Sequence, residues 1–282
     1  MVGVPRPGDA GALWVDVRGF MDWARAAGYS GVQMDITMAG LRPRDLDASA
    51  RRDIVSSLAR RGLFLAGLDL FIPSSDLVDA ARMDRAIGAI DAGLSLATDL
   101  RAANLDVGGA GVSVVLPEKL DAGTLAELAS LGQRWGASLV DHAWKSAFAG
   151  SEAGAGVVVR GIDPAAIGAS EGAGKVHEAI AAALTGISGA RVASGSSRIG
   201  AARLSESGGV GRIEVGVDPG SRLDVLAYAA GLVGVGFGGA MVWDGRGLSR
   251  AVEAAARGPS VYAMAMGDGD GGGGGGGGGG VA

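Results

Sequence analysis

Two hydrophobic periodicities alternate along this chain, and that alternation limits the possible folds more than any other feature. Short β-rich runs recur: VGV (2–4), GVQMDI (31–36), LFLAGLDLF (63–71), VSVVL (112–116), ASLVD (137–141), GVVVR (156–160), ARVAS (190–194) and GAMVW (239–243). Several are apolar nearly throughout, as strands buried on both faces of a parallel sheet must be. Between them lie stripes at helical spacing. Val17, Phe20, Met21, Ala24 and Ala27 form one; Met83, Ile87, Ile90, Leu94 and Ala97 form another. Leu125, Leu128, Leu131 and Trp135 make a third, and Leu223, Leu226, Ala230 and Val233 a fourth. Glycine closes several of these helices before the next strand, as at Gly28, Gly62 and Gly136. This layout predicts an α/β chain folded as a (β/α)8 TIM barrel over residues 1–262, with a short first strand and an irregular segment around 143–155. A doubly wound open sheet is the alternative.

Composition removes the competing classes. Glycine supplies 53 of 282 residues, ten of them in the run Gly271–Gly280, yet no G-X-Y period exists and prolines number only 8. An apolar share of 48 % and a net charge of −5 argue against disorder before the tail, and zero Cys excludes a disulfide framework. Residues 263–282 read as a disordered glycine-rich tail. The sequence pI of about 5.1 gives no basic footprint for nucleic acid or an anionic membrane. Val225–Trp243 carries no formal charge, but Gly234, Gly236, Gly238 and Gly239 punctuate it, so it reads as a helix, a turn and a buried strand. The N-terminal MVGVPRPGDAG lacks a signal-peptide layout, and a cytoplasmic location is expected.

In a barrel the chemistry sits where strands end and the following loops begin. Those positions repeat one residue type. Asp35 closes the second strand, Asp69 ends the third, Asp141 and His142 close the fifth, Asp163 follows the sixth and Asp244 the eighth. Carboxylate oxygens in such an array suit a hard divalent cation, and His142 can add a nitrogen. They also suit paired acid–base work at carbon.

Some longer stretches resemble a known family. GYSGVQMD (28–35), ARRGLFLAGLDLFIP (59–73) and RLDVLAYAAGLVGVGFGGAMVWD (222–244) are similar to the second strand, third strand and final helix–turn–strand of the xylose isomerase-like TIM barrels, the sugar phosphate isomerase/epimerase superfamily. The similarity spans most of residues 15–250. It implies one divalent metal held by Glu, Asp, His and Glu at the ends of strands five to eight, with the two Glu moving the proton. Asp141 falls at the first Glu, Asp163 at the Asp and Asp244 at the last Glu. The seventh run offers Ser194 and no His, while Ala165 and Ala166 stand where a further His often follows. The pattern thus keeps three carboxylates, two of them a methylene shorter, and loses its imidazole.

Plainer roles exist for each residue. Asp163-Pro164 has the form of a helix N-cap followed by proline, and Asp218-Pro219 repeats it. Asp244-Gly245 fits a turn with Arg246 as ion partner, His142 fits a hydrogen-bonded core histidine, and His177 fits an exposed helix position. Asp35 and Asp69 fit loop-orienting acceptors. Gly234-x-Gly236-x-x-Gly239 matches the dinucleotide pattern but precedes a strand instead of following one. Gly174-Lys175 lacks the spacing and hydroxyl of a phosphate loop, and Asp268 with Asp270 is too little for a calcium loop. The loop Ser194-Gly-Ser-Ser-Arg198 follows the seventh run, where barrels bind phosphate through backbone N–H groups.

The leading expectation is a sugar or sugar-phosphate isomerase/epimerase-like protein. Asp141 and Asp244 exchange the proton beside a carbonyl, and a Mn, Mg, Co or Zn ion held by Asp141, Asp163, Asp244 and His142 polarises the oxygen. Asp35, Asp69, Ser194, Ser196, Arg198 and Arg246 contact the substrate. The runner-up is a barrel that kept the fold, lost the metal and binds a ligand or a protein partner. A homo-oligomer is compatible with either. A metal-dependent endonuclease of the same superfamily ranks third, since two His cannot build a many-histidine cluster.

Overall fold

Aspartate starts most of the helices and glycine stops them. Asp16, Asp47 and Asp121 each turn a carboxylate back onto the backbone N–H three residues on, at 2.8, 2.7 and 2.9 Å, satisfying a donor that the first helical turn leaves unpaired. They open α1 (Val17–Ala26), α2 (Ala48–Arg60) and α4 (Ala122–Trp135). Gly28, Gly62 and Gly136 follow these helices with φ of 88°, 61° and 58°, the left-handed conformation that turns a helix end toward the next strand.

The computed structural model describes residues 2–3, 16–101, 111–145, 157–171, 175–176, 178–184, 199–205, 225–235, 237 and 241–244. Its strands are β1 (Val2–Gly3), β2 (Gly31–Asp35), β3 (Phe64–Asp69), β4 (Val112–Val114), β5 (Leu139–Asp141), β6 (Val158–Ile162), β7 (Ile199–Ser205) and β8 (Met241–Asp244). They pair in parallel in chain order, and β1 joins β8 to close the barrel. The remaining helices are α3 (Met83–Arg101), α5 (Pro164–Glu171) and α6 (Val225–Gly234). Residues 178–184 are also helical.

The expected (β/α)8 barrel with a short first strand is therefore present. One strand is corrected: the seventh is Ile199–Ser205, not ARVAS (190–194). Both runs pair an arginine with small and apolar residues, so local pattern does not separate them, and residues 190–194 lie outside the described residues. The stripe expected on α6 is also corrected. Tyr228, Ala229 and Leu232 are buried, whereas Ala230 and Val233 are exposed. A helix apolar almost all round carries no polar face to fix its rotation. Most of the irregular segment around 143–155 and all of residues 263–282 lie outside the described residues. No helix among the described residues is long and apolar enough to cross a membrane.

The core lies between the outer face of the barrel and its helices. Ile90, Leu94 and Ala97 of α3 are fully buried and face β3 and β4, and Gly93 lets the helix approach closely, since a Cβ there would meet Ile36 Cδ1 at 3.0 Å. Arginines tie neighbouring helices on the outside. Arg61 grips Asp22 bidentately at 2.6 and 3.0 Å, joining α2 to α1, and Arg51 pairs with Asp99 while bonding the carbonyls of Leu46 and Pro43. The indole of Trp135 donates to Asp91 at 2.7 Å and joins α4 to α3.

Two glycine substitutions should move stability in opposite directions. Gly136→Ala forces an L side chain into the left-handed region and is expected to cost about 1 kcal/mol. Gly88→Ala lies mid-α3 with nothing within 4 Å of the new Cβ and is expected to add about 0.5–1 kcal/mol. Urea denaturation midpoints of both variants beside the wild type measure this.

Candidate functional site

Strand register decides which side chains face the inside of the barrel. Asp35 pairs with Asp69, Asp69 with Ser113 and Ser113 with Val140, so these four share one face. Gln33 Nε2 donates to Ser113 Oγ at 2.8 Å from two strands away, which identifies that face as the interior. His142 Nε2 lies 3.1 Å from the same hydroxyl, and its ring covers Gly161, where a Cβ would meet His142 Cγ at 2.7 Å. A buried Gln–Ser–His cluster thus lies inside the barrel. It makes His142 a hydrogen-bonded core residue.

In the same interior the acidic strand ends gather on a group that no sequence motif marks. Arg203 of β7 is buried, its side chain 4 % exposed. Its Nη2 donates to Asp69 Oδ1 at 2.8 Å, and its Nη1 lies 3.5 Å from Asp163 Oδ2 and 3.9 Å from Asp244 Oδ2. One guanidinium therefore bridges β3, the end of β6, and β8 from its own strand. The planar fork suits this, because its N–H groups diverge toward several acceptors and it keeps its charge at any physiological pH. Asp163 serves twice: its Oδ1 accepts from Ala165 N at 3.0 Å and caps α5, while its Oδ2 faces Arg203.

Two polar atoms of this interior have no hydrogen-bond partner among the described residues. Asp35 Oδ1 accepts from Thr37 N and Oγ1 at 2.8 and 2.5 Å, but Oδ2 is buried and unpartnered. Arg203 Nε is likewise buried and unpartnered. An unmet acceptor and an unmet donor in one interior cost folding energy and mark atoms that a ligand can satisfy.

Asp141 stands elsewhere. It pairs in register with Val114 and Arg160, one residue out of step with the inward row, and so lies on the outer face. Its Oδ1 accepts from Leu116 N and Ala143 N at 3.0 and 2.9 Å, bracing the strand end. Arg160 beside it lies 5.0 Å over the Trp144 ring, and burial pulls its pKa below the ordinary arginine value. The structure thus brings Asp163 and Asp244 together with Asp69 and leaves Asp141 and His142 out of that group. Ser194, Ser196, Arg198 and Arg246 lie outside the described residues.

No family model matches the sequence, and no curated protein matches it. Solved structures do. A D-psicose 3-epimerase crystallised with D-fructose is 12 % identical over 90 % of this chain and 94 % of its own, with a TM-score of 0.60. The D-psicose 3-epimerase of Clostridium cellulolyticum H10 with D-tagatose is 10 % identical over 90 % and 93 %, TM-score 0.61. A xylose isomerase-like TIM barrel protein of Mycobacterium smegmatis in complex with magnesium is 12 % identical over 94 % and 97 %, TM-score 0.56. The chain has the xylose isomerase-like TIM-barrel fold.

On this xylose isomerase-like frame, the donor set does not fit the divalent ion expected from the sequence. Among the described residues, no three His, Asp or Glu side chains are grouped to hold a metal. Asp69, Asp163 and Asp244 do surround a cation, but that cation is Arg203. A divalent ion about 4 Å from a guanidinium meets a repulsion of roughly 8 kcal/mol at an effective permittivity near 20. Asp141 and His142, the other two expected ligands, are committed to the outer strand end and to Ser113.

Arg203 was missed because a search for acids, histidines and glycine loops passes over an arginine inside a strand. The signal that points to it is a surplus. Five aspartates at strand ends need a counter-charge, and IGAARLS is a strand-like run with one cation.

Replacing Arg203 with Met should expose that dependence. Leaving three buried carboxylates without their partner is expected to cost about 3–5 kcal/mol. Urea unfolding at neutral pH measures the loss, and a change below about 1 kcal/mol would show that the ion pairs do not hold the barrel mouth.

Proposed function

We propose that this protein takes a small neutral sugar into the carboxyl end of its barrel and, as an isomerase/epimerase-like protein, moves a proton at the carbon beside the sugar's carbonyl. One observation carries the reading. Asp35, Asp69, Asp163 and Asp244 share one interior with the Arg203 guanidinium, on a fold whose similar structures include epimerases crystallised with fructose and tagatose.

The charge of this interior favours a neutral ligand. Among the described residues, four carboxylates face one guanidinium, an acidic balance that repels a phosphate and attracts the hydroxyl donors of a polyol. Asp35 Oδ2 takes one such hydroxyl and Arg203 Nε donates to a sugar oxygen, which settles the two unpartnered atoms together. Asp244 keeps its expected place as a proton carrier, and Asp35 is its proposed partner because one of its oxygens is uncommitted. Asp141 is not given that role, because register places it on the other face of the sheet.

A second reading, a barrel that binds sugar without turning it over, draws on the same ion pairs. Asp163 and Asp244 both face Arg203, so each has an oxygen turned toward the guanidinium and away from a substrate carbon.

Saturation-transfer NMR with D-fructose and D-tagatose, followed in D2O, separates these readings. Binding with deuterium entering the position beside the carbonyl is expected; binding without exchange selects the second reading, and absence of binding defeats both. Asp35→Asn is expected to weaken sugar binding about 10-fold, since a hydrogen bond to a charged acceptor is worth roughly 1.5–3 kcal/mol. Titration calorimetry with the same sugars reads that change.

A further inference from the structure

We infer that the Arg203 guanidinium is the electrophile of the proposed reaction: its Nε–H takes the sugar's carbonyl oxygen and steadies the negative charge that gathers there when the neighbouring carbon gives up its proton. The inference deepens the sugar isomerase/epimerase reading and rests on it.

Removing a proton beside a carbonyl drives an electron pair onto the carbonyl oxygen. The reaction therefore needs a base at the carbon and a fixed positive group at that oxygen. The aspartates define where such a group stands. Nη2 donates to Asp69 Oδ1 at 2.8 Å, and Nη1 lies 3.5 Å from Asp163 Oδ2 and 3.9 Å from Asp244 Oδ2. Carboxylates from β3, the β6–α5 junction and β8 thus orient the guanidinium plane and engage both terminal nitrogens. The third nitrogen is left over: Nε is buried and has no acceptor among the described residues. An oxygen brought to it meets a full charge without competing water, where a charge-assisted hydrogen bond is strong.

The base belongs to the same group of side chains. Asp35 and Asp69 are register partners on strands about 5 Å apart, and Asp35 Oδ2 is the buried oxygen without a donor among the described residues. Asp35 takes the C–H proton, the C–H electron pair becomes the C=C bond of an enediolate, and the carbonyl π pair moves onto the oxygen held at Nε. Return of a proton to carbon reverses the flow, so substrate and product differ only in the placing of hydrogen and no oxidant or reductant is consumed. The chain itself supplies the positive charge expected from a metal. Among the described residues, no three acidic or histidine side chains are grouped for an ion, and Asp69, Asp163 and Asp244 are turned to the guanidinium.

Three measurements on the full chain test this role. Deuterium entry from D2O beside the carbonyl of D-fructose and D-tagatose is timed in the wild type with EDTA and with millimolar Mn2+, and equal rates are expected. Arg203→Lys keeps the charge, but its three N–H donors face three aspartates and none is left for the sugar. Its saturated exchange rate is expected to fall about 100-fold while KM stays within about 3-fold. The last measurement reads the carbonyl itself. L-Erythrulose, a ketose too short to close a stable ring, is bound and its C=O stretch followed by isotope-edited infrared spectroscopy. The band is expected to move to lower wavenumber on the wild type and to return toward its free value on Arg203→Lys, a signature that a purely structural arginine does not give. Exchange that EDTA abolishes and Mn2+ restores would overturn the inference and leave the sugar reading standing. The same holds for an Arg203→Lys protein that loses affinity but keeps its saturated rate, and for a wild-type band that binding does not shift. Absence of exchange in the wild type defeats the proposed reaction, and the electrophile with it. Should Arg203→Lys fail to fold, the chelation and infrared measurements on the wild type still decide.

Discussion

Closing eight parallel strands into a barrel fixes, residue by residue, which side chains can meet. Each strand alternates between the interior and the helices, and register carries that alternation unbroken from one strand to its neighbour. Asp35, Asp69, Ser113 and Val140 form one continuous inward row, while Val114, Asp141 and Arg160 form an outward one. The chemistry of the barrel mouth follows from this. An aspartate in the inward row joins a shared polar interior. One a single residue out of step braces the strand end instead, however similar it looks in the sequence.

That distinction explains what the sequence could and could not reveal. The alternation of β-rich runs and amphipathic stripes located seven of the eight strands to within a few residues, because buried parallel strands are apolar on both faces and the intervening helices on only one. Asp163-Pro164 announced its capping role through local chemistry, and α5 begins there. Asp141 and His142 were not separable, since adjacent residues at a strand end exchange faces with any one-residue change in phase. The seventh strand is misplaced by its pattern because ARVAS and IGAARLS look alike locally, and pairing with β6 and β8, which no local pattern records, selects Ile199–Ser205. The rotation of α6 was equally hidden, because an almost uniformly apolar helix records no preferred face.

The polar interior is organised around an imbalance of charge. Acidic residues arrive from several strands, and a single arginine from β7 answers three of them. A buried ion-pair network of this kind contributes little net stability compared with apolar packing, but breaking it is costly, so it fixes one arrangement of the strand ends. Inside the same barrel, Gln33, Ser113 and His142 from β2, β4 and the end of β5 meet through one hydroxyl.

Asp163 has a consequence of its own. It caps the first turn of α5 with one oxygen and faces Arg203 with the other, while Glu171 at the far end of the same helix accepts a hydrogen bond from the Trp144 indole at 2.8 Å. This short helix therefore connects the charged centre to an aromatic ring. Both contacts depend on where α5 sits. One eight-residue helix thus ties a carboxylate of the barrel interior at its start to an indole at its end.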